Sequence, residues 1–108
     1  MDHQAFANRT AAALQLQSDG QPRDAAVALR DLLRDLESPV KEGVNEWHQQ
    51  QTLALLIDAL AAASDIENCR AAWEELIEFT TDAATYWEHA RKSAQADFDR
   101  WTIEHPPG

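Results

Sequence analysis

Glycine and proline are scarce in this chain, three and four among 108 residues, and two of the prolines are Pro106 and Pro107. So few breakers exclude a fold of many short pieces and favour long uninterrupted elements. Cys69 is the sole cysteine, which excludes an intrachain disulfide and a cysteine-type tetrahedral zinc site. Positive charge is also short: 9 Lys and Arg stand against 19 Asp and Glu, a formal net charge of −10. Phosphate backbones and anionic lipid are repelled on average by such a chain, so neither nucleic acid nor a membrane is an expected partner. No apolar run has the length of a membrane span, since the longest low-charge stretch, Thr52 to Ser64, is interrupted by Asp58. Met1-Asp2-His3-Gln4 places an acid where a secretory signal carries positive charge. A cytoplasmic protein is expected, where a single reduced thiol is ordinary.

What is present suits one ordinary globular domain, 1–108, with 44% hydrophobic and 26% charged residues. Four breaks divide it: Ser18-Asp19-Gly20-Gln21-Pro22, Glu37-Ser38-Pro39, Ser64-Asp65 and Thr80-Thr81-Asp82. Gly20 suits a left-handed helix stop and Pro22 a first-turn position, while Ser64 or Asp65 and Thr81 or Asp82 suit N-caps. Between breaks the apolar residues recur at three and four, which predicts five helices. The second segment aligns Ala25, Leu29, Leu32, Leu33 and Leu36, and the third aligns Val44, Trp47, Leu55, Leu56, Ala59, Leu60 and Ala63. The fourth has Ile66, Cys69, Trp73, Leu76, Ile77 and Thr80, and the fifth has Ala83, Trp87, Ala90, Ala94, Phe98 and Trp101. The first, with Phe6, Ala13, Leu14 and Leu16, has the thinnest stripe.

Short breaks make successive helices antiparallel neighbours, and the hairpins repeat. Gly20 to Leu33 aligns with Ser64 to Ile77 at an offset of 44 residues, Ala25 falling on Cys69 and Leu29 on Trp73. A small residue lets two helices approach, and a large one fills the groove a turn later. This pattern resembles the tetratricopeptide repeat, and Leu53, Leu56 and Leu60 stand where the first helix of that repeat carries large apolar residues. Arg9 and Ala12 depart from it at the matching places of the first copy, and the offset exceeds the roughly 34 residues of that family. The resemblance implies a right-handed all-α stack of antiparallel hairpins, 3–18 with 22–37 and 42–63 with 66–80, closed by a capping helix at 82–104. A plain five-helix bundle is the alternative.

Catalytic constellations are missing from the pattern. There is no phosphate-cradling glycine loop, no zincin motif and no nucleophile elbow. His3, His48, His89 and His105 are never three or four apart, so no helical pair chelates a metal, and each reads as a surface or interface residue, with His3 and His105 in fraying ends. Cys69, on an apolar stripe, reads as a packed residue with a raised pKa. Neither an enzyme nor a cofactor or metal is expected.

Acidic charge concentrates in the fourth segment, where residues 65–81 carry a net −4 and Glu67, Glu74, Glu75 and Glu78 meet only Arg70. Asp82 follows. A solvated face that promotes solubility is one reading; a surface that attracts a basic protein at steered rates is the other. Trp47 and Tyr86, beside carboxylates, fit the aromatic-anchor anatomy of protein interfaces. The expected function is therefore a non-catalytic binding module whose contact residues are Glu67, Glu74, Glu75, Glu78, Asp82, Trp47 and Tyr86. A small acidic bacterial immunity protein or antitoxin that masks a basic nuclease-type toxin is its most concrete form. The alternative is a secretion or assembly chaperone holding a partner segment in a concave helical groove, and pairing with a second copy stays open.

Overall fold

A computed structural model describes residues 3–36, 46–82 and 88–106, with side chains placed for 3–36, 48–79 and 92–106. Five helices account for nearly all of it: α1 (His3–Ser18), α2 (Pro22–Leu36), α3 (Glu46–Ala62), α4 (Ile66–Asp82) and α5 (Glu88–Glu104). No strand occurs among the described residues. Each helix packs on its neighbour in the chain, and α1 also touches α3. The helices thus zig-zag through a slab of 40 × 38 × 18 Å, about two helices thick.

The repeat is written into the backbone. At the end of α1, Gly20 N–H donates to Gln17 O at 3.1 Å and Gln21 N–H to Leu16 O at 2.9 Å. At the end of α3, Ser64 N–H donates to Ala61 O and Asp65 N–H to Leu60 O, both at 3.0 Å. Both ends are Schellman caps, the second 44 residues after the first. The left-handed residue is Gly20 (φ 81°) in one copy and Ser64 (φ 59°) in the other. Ser64 is therefore a helix stop, and Asp65 alone caps α4, its Oδ1 accepting from Asn68 N–H at 3.4 Å. A Cβ on Gly20 would meet nothing within 4 Å, so Gly20→Ala costs only backbone strain. We expect that variant to lose about 1 kcal/mol in chemical denaturation, and Ser64→Gly to lose nothing.

Ala25 and Cys69, the paired small positions, are both wholly buried, as are Leu32 and Leu36. One core cluster runs from Ala13 of α1 through Leu29, Leu56 and Cys69 to Ala94 and Trp101 of α5. Phe6, Leu32 and Leu36 form a second, smaller cluster.

Four expectations need correction. First, α4 continues through Asp82, so Thr80-Thr81-Asp82 is not a break: with no Gly or Pro between Gly43 and Pro106, nothing forces a stop at Thr80. Second, Leu14 is 45% exposed, because α1 buries only Phe6 and Ala13. Third, His48 is buried (5% exposed) one turn before the wholly buried Thr52, whose hydroxyl donates to His48 O at 2.8 Å. The buried stripe of α3 therefore runs on through two polar residues that a count of apolar positions passes over. Fourth, His3 and His105 are held in place. His3 Nδ1 lies 3.1 Å from His48 Nε2. His105 stacks on Trp101 at 4.8 Å between ring centroids, and its carbonyl accepts from Arg70. Of the aligned apolar residues, Val44, Ala83 and Trp87 lie outside the described residues.

Candidate protein-binding face

On α4, Glu67, Glu74, Glu75 and Glu78 are all exposed, and at spacings of seven, one and three they share the outer side of the helix. What neutralises them decides the character of that face. Arg70, the only cation of α4, points elsewhere. Its guanidinium lies 5.4 Å from the centre of the Trp101 ring, and Nη2 donates to His105 O at 2.9 Å. It holds the end of α5 instead of its own carboxylates. Glu75 does find a cation, accepting from Arg30 of α2 at 2.9–3.0 Å. Glu67, Glu74 and Glu78 make no ion pair among the described residues. Other cations are committed too: Arg9 pairs with Asp35, Arg34 with Asp31 and Arg100 with Asp97.

The face is rigidly backed. Trp73 of α4 stacks on Phe98 of α5 at 5.9 Å, and Phe98 meets Trp101 at 6.2 Å. Both indole N–H groups are buried without an acceptor among the described residues, so ring packing and the Arg70 contact, not indole hydrogen bonds, dock α5 on α4. Of the expected contact residues, the four glutamates thus come together on one side of α4. The side chains of Trp47, Tyr86 and Asp82 lie outside the described residues.

Helix α2 presents the same positions with opposite sign. Arg23, Val27, Arg30 and Arg34 correspond, 44 residues on, to Glu67, Ala71, Glu74 and Glu78. Between α2 and the start of α4 opens a cleft of about 690 Å³, into which all four α2 side chains face. Val27 is 62% exposed there, and Arg23 makes no ion pair among the described residues. Reading each segment for its buried stripe passed over this outer row. Its one available signal was a lone valine among arginines at helical spacing.

Among the described residues no three His, Cys, Asp or Glu side chains gather as a metal site. Cys69 is wholly buried; burial first, then Asp58 and Asp65, push its thiol pKa up, against a smaller downward pull from Arg70. No described helix is long and apolar enough to cross a membrane. No family model matches the chain, and neither a curated protein nor a solved structure is similar to it.

Burial of the His48 imidazole makes stability pH-dependent. Burial first, then the neighbouring His3, lower the His48 pKa from 6.5, and the Phe6 ring packs edge-on at 4.5 Å. The folded chain then binds fewer protons than the unfolded one at mildly acidic pH. Stability from this group is full above about 6.5 and lost as pH falls through the lowered folded value. Thermal unfolding across that window is expected to show Tm falling on acidification, with a smaller fall in His48→Gln.

Proposed function

We propose that this chain is a non-catalytic protein-binding module that covers a basic protein through the acidic outer side of α4. The immunity or antitoxin type, masking a cationic nuclease-type toxin, is its most concrete form, built on hairpins that resemble tetratricopeptide repeats. One observation carries the reading: Glu67, Glu74 and Glu78 stand exposed on one helix side while the helix's only cation is spent on α5. Like charges held together repel, and a cationic partner relieves that cost while gaining a steered association rate. Carboxylates of this kind would occupy the cations with which a nuclease holds phosphate.

The test is titration of the chain into any basic nuclease-type domain found encoded beside its gene, reading nuclease activity. Stoichiometric loss of activity is the expected result. A nuclease left fully active, or a complex indifferent to salt, would contradict the reading, and the latter would favour the chaperone alternative.

A further inference from the structure

The cleft between α2 and α4 has an apolar floor and walls of opposite charge. Its floor is made by Ala26, Leu56, Leu60 and Ile66, with Val27 standing up from α2. Arg23 and Arg34, the latter paired with Asp31, line one wall; Asp65 and Glu67 line the other. The α2 row from Arg23 to Arg34 spans eleven residues, roughly 16 Å or three helical turns. Elsewhere the large apolar side chains exposed among the described residues are Leu14 on α1 and Ile103 on α5; Val27 is the one of the three that lines this cleft.

We infer that this cleft is a docking seam for an amphipathic helix of the partner, with a large apolar ridge, bases along one flank and acids along the other. The inference rests on the chain being a protein-binding module and adds the apolar anchor of that interface. Charge complementarity selects the occupant. An all-basic segment would set a cation against Arg23, the α2 arginine without an ion pair among the described residues, and an all-acidic one would set carboxylates against Asp65 and Glu67. A bipolar helix satisfies both walls at once, with its basic flank on the α4 side, next to the unpaired glutamates. The apolar ridge covers Val27 and excludes water from the floor, as in other helix-in-groove complexes. A second copy of the chain, at net −10, is the poorer occupant.

Three synthetic helical peptides with one leucine ridge test this by fluorescence anisotropy: one with a lysine and a glutamate flank, one with lysine on both flanks, one with glutamate on both. The bipolar peptide is expected to bind about tenfold more tightly than either other. Val27→Glu, at an exposed position, is expected to leave the far-UV circular dichroism unchanged and to weaken that binding about tenfold or more. Arg23→Glu and Glu67→Arg are each expected to weaken it, and the double exchange to restore it, because the helix can bind turned end for end. Indifference to Val27→Glu, equal binding of all three peptides, or binding of none would overturn the seam. Preferred binding of the lysine-flanked peptide that disappears in the Glu67→Gln, Glu74→Gln, Glu78→Gln triple variant would also overturn it, while leaving the basic-partner reading in force.

Discussion

Leu56→Ala is expected to cost about 2–5 kcal/mol of folding stability, the range for emptying a tightly packed leucine site. Leu56 is 1% exposed at the middle of α3, the helix that meets α1, α2 and α4, and it belongs to the cluster that joins all five helices. The vacated space has few ways to collapse, because wholly buried Thr52 and Ala59 flank it on the same helix. Chemical denaturation measures the loss. Leu14→Ala is the matched control: Leu14 is 45% exposed, and its truncation is expected to change stability by no more than about 0.5 kcal/mol. Equal losses at the two leucines would contradict the packing described.

Cys69→Leu carries the other large effect, in the opposite steric sense. Cys69 is wholly buried, with its Sγ 3.7 Å from the Ile57 carbonyl, so the backbones of α3 and α4 approach closely there. Three-carbon branching at that point forces the helices apart or the side chain off its rotamer, at about 1–3 kcal/mol. Ala25→Leu, 44 residues earlier and equally buried, is expected to behave alike. Denaturation midpoints of the two variants check this: a large loss in one and none in the other would mean that the two hairpins are not packed equivalently.

The hairpin repeat was legible in the sequence because few residue types tolerate what it needs. Gly20 marks one left-handed stop and Ala25 and Cys69 mark the close approach, whereas Ser64, which reads as an N-cap in the sequence, is the second left-handed stop. Both follow from backbone geometry, which depends little on distant parts of the chain. The fourth break was misplaced because Thr80-Thr81-Asp82 reads as a cap but forms the last turn of α4. Burial of His48 was hidden because its burial comes from His3 and Phe6, forty-odd residues away. For the candidate face, the acidic row of α4 was visible in helical spacing. The diversion of Arg70 to Trp101 and the Arg30–Glu75 bridge were not, since each depends on where a neighbouring helix lies. They separate the carboxylates: Glu75 is held within the chain, while Glu67, Glu74 and Glu78 make no ion pair among the described residues.

An acidic face that captures a basic protein is tested most directly by the salt dependence of the association rate. The measurement is stopped-flow mixing with the basic toxin domain, from low to high ionic strength, for the native chain and the Glu67→Gln, Glu74→Gln, Glu78→Gln triple variant. The native rate is expected to fall steeply with salt, and the triple variant to associate more slowly with a clearly shallower slope. Glu75→Gln alone, at a carboxylate already paired with Arg30, is expected to change the slope less than the triple variant. Identical slopes for the native chain and the triple variant would contradict a role for the outer side of α4 in binding.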